Sequence, residues 1–130
     1  ARLIHIAKLP EAAAHGCFVA PRAYELKSVK QLEREVFGPI LHVVRWRADQ
    51  LDGVIADING TGFGLTLGIH SRIDATVDHI AKNVRVGNCY VNRNQIGAVV
   101  GVQPFGGEGL SGTGPKAGGP HYLAKFATER

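Results

Sequence analysis

Apolar residues along this 130-residue chain fall into short runs with two different periods. Leu51, Val54, Ile55 and Ile58 recur three and four apart and stop at Asn59-Gly60. That spacing predicts an amphipathic helix, with Asp49 as its N-cap and Asp52 in the first turn. Ile73, Val77, Ile80 and Val84 repeat the pattern; Ser71 is expected to cap this second helix with Asp74 three residues on, and Asp78 and Lys82 to pair four apart outside. Between the two, Leu65 to His70 alternates with period two, and Val86 to Val91 returns as a strand. Strand, helix, strand over 65–91 is a βαβ unit, whose right-handed crossover makes the two strands parallel.

The pattern is less regular towards the N-terminus. Leu3, Ile4, Ile6 and Leu9 before Pro10 suit a strand or a helix end equally, and 11–15 is alanine-rich. Cys17 to Pro21 reads as a short strand ended by proline. Ser28 starts a helical turn with Val29, Leu32 and Val36 on one side and Gln31 at the capping-box position, stopping at Gly38-Pro39. Ile40 to Trp46 is a near-continuous apolar run, as in a strand covered on both faces. Residues 97–102 make one more short apolar run, and Gly119-Pro120 opens a final short helix over 121–127. The stretch 103–119 is too rich in glycine for helix or strand and must be a shaped loop, headed by Phe105 behind Pro104.

Composition narrows the class. With 45% hydrophobic and 20% charged residues, the chain can bury one modest core. The net charge of +4 comes from basic residues scattered among acids, which argues against a nucleic-acid stripe. No apolar run approaches the ~18 residues of a membrane span and no signal architecture opens the chain, so a cytoplasmic setting is expected. Cys17 and Cys89 show no ligand or redox spacing and are expected as small apolar core residues. The six histidines have no paired ligand spacing, so no metal is expected. Met is absent and the chain opens on Ala1-Arg2-Leu3-Ile4 as if in mid-element, which suggests a fragment.

Two stretches invite chemistry. Gly107-x-Gly109-x-x-Gly112 matches a dinucleotide fingerprint letter by letter, but the motif needs a buried strand before it and an amphipathic helix after it, and neither is present. Glu35-Val36-Phe37-Gly38-Pro39 sets a carboxylate and a ring two residues apart ahead of a rigid turn. On extended chain both point the same way, so they could take sugar hydroxyls and a flat heterocycle. A solvated Glu35 beside a core Phe37 fits the spacing equally well.

In order and spacing, four motifs closely resemble the C-terminal part of the aldehyde dehydrogenase superfamily: Glu35 to Pro39, Asn59 to Leu65, Gly87 to Asn92, and Pro104 to Gly107 with Ser111-Gly112. The text Asn92-Arg93, Ile96 to Gly101, Gln103 to Gly107 and Ser111 to Pro120 is similar to one branch, the L-glutamate γ-semialdehyde (1-pyrroline-5-carboxylate) dehydrogenase module of bacterial bifunctional proline utilization A proteins. The resemblance runs from about Gly16 to Tyr122. It implies a partial three-layer α/β/α catalytic domain with a mainly parallel sheet, of which residues 1–130 are a C-terminal fragment.

The resemblance further implies an intact enzyme that oxidises glutamate semialdehyde to glutamate with NAD, through a thiohemiacetal and a thioester on a cysteine. Glu35 would bind the ribose next to nicotinamide and Phe37 would pack near the nicotinamide end. Phe105 would form part of an aromatic box around the aldehyde chain, and the backbone N–H groups of Gly97 and Ala98 would anchor the substrate carboxylate. The nucleophile, the general base and the nucleotide-binding domain are expected upstream of Ala1, Cys17 and Cys89 do not match the nucleophile motif, and the isolated chain is expected to be inactive. FAD would belong only to a proline dehydrogenase domain of the parent. The expected partners are the remainder of that parent and further copies in a homo-oligomer, with no nucleic acid on this segment; the resemblance also allows the parent a peripheral place on the inner membrane. The alternative is a non-catalytic oligomerisation or interaction domain derived from the same family.

Overall fold

A computed structural model describes residues 1–97, 99, 101–112 and 114–128. The chain divides into two compact units, Ala1–Leu51 and Asp52–Arg130. In the first, β1 (Arg2–Ile6), β2 (Arg22–Leu26) and β3 (Ile40–Val44) form one sheet in that order. β1 runs antiparallel to β2 with a register shift between Leu3 and His5; β2 and β3 are parallel from Arg22↔Ile40 to Leu26↔Val44. The open start of the chain is thus a strand, and Glu11–His15 is a 3₁₀ turn.

Several expectations fail here for identifiable reasons. Cys17 to Pro21 is not a strand: Phe18 and Val19 are exposed, and the strand begins after Pro21. Proline has no N–H for a ladder, yet its carbonyl accepts the Ala7 N–H at 2.7 Å, so Pro21 marks a strand's start where the sequence suggested an end. The turn after Ser28 is a 3₁₀ segment, Val29–Gln31, that stops at Leu32, short of Val36. Ser28 Oγ does accept the Lys30 N–H (3.2 Å), whereas Gln31 Oε1 takes the Lys27 N–H (2.7 Å), one residue before the position a capping box would use. β3 is not covered on both faces, because this unit has only 3₁₀ turns to lay against its sheet; Leu41 is 61% exposed and Trp46 46%. Ala20 and Leu26 are its buried apolar residues.

The second unit follows the periodicity closely. α1 (Leu51–Gly60) buries Ile55, and α2 (Asp74–Asn83) joins β5 (Thr66–Ile69) to β6 (Asn88–Val91), which pair in parallel from Thr66↔Asn88 to Ile69↔Val91. Ile55, Ile69, Val84 and Tyr90 are buried. Asn59 ties the ends of both helices together: its Nδ2 donates to the Asn83 carbonyl and its Oδ1 accepts the Arg85 N–H, each at 2.8 Å. Asp78 and Lys82 pair at 3.9 Å as the spacing required.

Neither predicted N-cap sits where expected. A 3₁₀ turn, Ala48–Gln50, starts the helical path two residues early, so Arg47 becomes the cap and Asp49 lies inside the turn, paired with Arg47 at 3.0 Å. Ser71 Oγ accepts the Ile73 N–H (3.1 Å), a local Ser turn that ends before α2, whose cap residue is Ile73. The two-residue strands β4 (Phe63–Gly64) and β7 (Glu108–Gly109), the latter within the stretch expected as loop, pair antiparallel, and the final helix is a 3₁₀ turn, Leu123–Phe126. Parallel pairing therefore holds for β2–β3 and β5–β6, with antiparallel pairs beside it. Among the described residues, no helix is long and apolar enough to cross a membrane.

Candidate functional site

Glu35 and Phe37 lie in the first unit, on the irregular segment between the 3₁₀ turn and β3. Both are exposed, Phe37 at 92%, which excludes the core reading of Phe37 in this chain. The segment is fixed only at its ends: Leu32 N–H donates to Val29, and the Gly38-Pro39 corner is held by Ile40 N–H to the Gly38 carbonyl (2.8 Å) and Arg22 N–H to the Pro39 carbonyl (3.0 Å). Two clefts open on this unit's sheet, of about 510 Å³ around Arg2, Glu25 and Arg45 and about 430 Å³ around His5, Pro21 and Pro39. Neither is lined by Glu35 or Phe37, so the carboxylate and ring present themselves from an open surface.

Gly97 and Phe105 lie in the second unit, and Ala98 falls outside the described residues. Gly97 has φ +48°, and a Cβ there would meet nothing within 4 Å, so its peptide is open to approach. Phe105 is half-buried and bridged antiparallel to Ala117, its N–H donating at 3.0 Å and its carbonyl accepting at 2.8 Å.

The residues that organise this loop are ones the sequence reading missed. Asn88, the first residue of β6, embraces Phe105 through its neighbours: Nδ2 donates to the Pro104 carbonyl (3.0 Å) and Oδ1 accepts the Gly106 N–H (3.3 Å). Two residues along, Tyr90 donates its hydroxyl to the Gly97 carbonyl (3.2 Å) and accepts from Gln103 Nε2 (2.9 Å). Arg93 stacks on the Tyr90 ring, 4.7 Å from its centroid. Lys116 Nζ reaches the Gly87 carbonyl, and Ser111 Oγ accepts the Gly64 N–H at 3.1 Å. Gly87 is packed so tightly against the loop that a Cβ would come within 1.7 Å of the Gly106 carbonyl oxygen, so only glycine fits. The available signal was the pair Asn88 and Tyr90 on β6, polar-capable groups two apart on one face of the strand.

Both cysteines are exposed, against the expectation that they are core. Cys17 precedes β2 in irregular chain, and Cys89 alternates with Tyr90 on the opposite side of β6, leaving Tyr90 as the buried one. Partial burial nonetheless pushes the Cys89 thiol up from its ordinary range, which keeps it protonated and weakly nucleophilic. Among the described residues, no group of three or more His, Cys, Asp or Glu is placed to hold a metal ion.

The sequence profile of the Aldehyde dehydrogenase family matches residues 1–130. The chain belongs to the aldehyde dehydrogenase family. Within that family it is similar to the bifunctional protein PutA of Klebsiella aerogenes, 60% identical over 116 residues that make up 89% of this chain and 9% of that protein. A crystal structure of a Bradyrhizobium japonicum proline utilization A (PutA) mutant superposes with a TM-score of 0.91 at 65% identity, covering all of this chain and 13% of that one. A 1-pyrroline-5-carboxylate dehydrogenase of Bacillus cytotoxicus is 40% identical over 111 residues, 84% of this chain and 21% of that protein. The chain therefore spans about a tenth of the PutA proteins it matches, and the Asn88 and Tyr90 clamps belong to a small part of an aldehyde dehydrogenase architecture.

Proposed function

We propose that this chain is the C-terminal part of one aldehyde dehydrogenase catalytic domain, in a bifunctional parent whose aldehyde dehydrogenase module oxidises L-glutamate γ-semialdehyde to glutamate with NAD. The observation that carries the reading is the family match over residues 1–130 together with the similarity to PutA and 1-pyrroline-5-carboxylate dehydrogenase relatives, on a chain whose Gly97 and Phe105 are both held in place by β6. The open Gly97 peptide, with Ala98, offers amide hydrogens to a carboxylate, and the Phe105 ring packs against the aliphatic part of the aldehyde. Glu35 and Phe37 suit the coenzyme, since an exposed carboxylate accepts vicinal hydroxyls and an uncovered ring packs beside a flat heterocycle. NAD, when bound, supplies the hydride acceptor. The nucleophile comes from the remainder of the parent, consistent with the raised Cys89 thiol. NADH formation by the full-length parent on this semialdehyde tests the reading; steady NADH production by the isolated chain would overturn the division of labour.

Exposed Ile96, Leu110, Leu123 and Phe126 favour burial against the remainder of the parent or a second copy, in a cytoplasmic homo-oligomer. A non-catalytic interaction domain would keep these contacts without the aldehyde chemistry. Light scattering on the parent, paired with the NADH assay, separates the two.

A further inference from the structure

Tyr90 is 6% exposed and carries its hydroxyl into the second unit with both hydrogen-bonding capacities used. A buried phenol needs a partner, but not two on one loop seven and thirteen residues away. The carbonyl it holds belongs to Gly97, a residue with no side chain to fix its own peptide and a left-handed φ of +48°. Gripping the Gly97 carbonyl restrains the ψ of that residue, the rotation that a missing side chain leaves freest, and so steadies the backbone that carries the Gly97 N–H. Gln103 accepts no such freedom either: its amide is spent on the same hydroxyl, immediately before the Pro104–Gly106 segment that Asn88 clamps.

We propose that Tyr90 is a positioning residue that makes the enzyme selective for aldehydes bearing a carboxylate, by steadying the Gly97 backbone whose N–H meets it. The inference rests on the functional reading of Gly97 given above. Tyr90 itself touches no substrate; it acts through the loop. Asn88 holds the other wall, so the two residues, neighbours on one face of β6, fix the carboxylate end and the aliphatic end of the pocket separately.

The test uses the full-length parent and two five-carbon aldehydes, glutamate γ-semialdehyde and pentanal, which lacks the carboxylate. Tyr90→Phe keeps the ring and its Arg93 contact while deleting the hydroxyl. The ratio of kcat/KM for the semialdehyde over pentanal is expected to fall about tenfold, through KM for the semialdehyde. A loss of packing alone would depress both substrates together, so an unchanged ratio overturns the proposal. Should Tyr90→Phe fail to fold, Gln103→Leu removes the other bond to the same hydroxyl and must move the ratio the same way, an unmoved ratio again counting against the proposal. A wild-type enzyme that oxidises pentanal but not the semialdehyde overturns the functional reading and this inference with it.

Discussion

The two candidate loops are held in opposite ways. Among the described residues, 33–37 make no hydrogen bond between the turn that precedes them and the Gly38-Pro39 corner, and both candidate side chains stand in solvent. The segment 97–117 is gripped from one strand by Asn88 and Tyr90, bridged to itself at Phe105 and Ala117, and zipped to β4 through β7. On the function proposed above, the substrate wall would thus be organised within this chain, whereas Glu35 and Phe37 would acquire their surroundings from elsewhere in the parent. An interaction satisfied internally should affect stability and activity together when removed; one awaiting a ligand should affect activity alone.

The sharpest break in that contrast comes from two glycines. Gly87→Ala drives a Cβ to 1.7 Å from the Gly106 carbonyl oxygen, and backbone must move to relieve it, at a cost of about 3 kcal/mol. Gly38→Ala meets nothing within 4 Å and suffers only from its φ of +143°, about 1 kcal/mol. Urea denaturation of the two parent variants measures the gap, and equal losses would mean that the substrate loop is no more tightly built than the other.

Next in size is the Asn88 clamp. Asn88→Ala leaves the Pro104 carbonyl and the Gly106 N–H without their partner and is expected to cost about 2 kcal/mol. Because Phe105 would pack against the aliphatic chain, kcat/KM should drop about tenfold for the semialdehyde and pentanal alike, in contrast to the selective loss at Tyr90. Glu35→Ala should do the reverse, raising KM for NAD about tenfold through a lost charge-assisted contact while shifting stability by under about 0.5 kcal/mol. Unchanged kinetics with NAD would remove Glu35 from the coenzyme.

The same division explains what could be read from the residues. α1 and the βαβ unit were legible because each of their signals is local: Leu51 to Ile58 repeats along α1, Ile73 to Val84 spans α2, and β5 and β6 alternate. β2 was missed because Arg-Ala-Tyr-Glu-Leu mixes charge and apolar residues in a strand whose sheet leaves all but Leu26 only half covered, and because Pro21 punctuates either end of a strand equally. Capping residues were found but misplaced, since Asp49 and Ser71 bond locally in ways that compete with the cap. In the site, Phe105 and Gly97 came from a resemblance, while Asn88 and Tyr90 escaped, because their partners lie 7 to 18 residues away along a loop with no period. The two-residue spacing of Asn88 and Tyr90 puts both on one face of β6, but nothing in the glycine-rich segment marks which backbone groups they hold.

The smallest effect probes the first unit's own sheet. Glu25 on β2 takes Arg2 from β1 and Arg45 from just beyond β3, and those hydrogen bonds, Arg2 first, hold its carboxyl below the usual glutamate range. A carboxylate whose pKa is lower folded than unfolded contributes stability above the unfolded pKa and loses it as pH falls through the folded value. The contribution is modest because both arginines are mostly exposed and salt screens them. Hydrogen exchange of the β1 and β2 amides in the parent should therefore be faster in Glu25→Gln than in wild type at neutral pH, with the difference vanishing once the acid range is passed. A difference that persisted in acid would assign the protection to packing, and the sheet beside the Glu35–Phe37 segment would then be held without help from its charges.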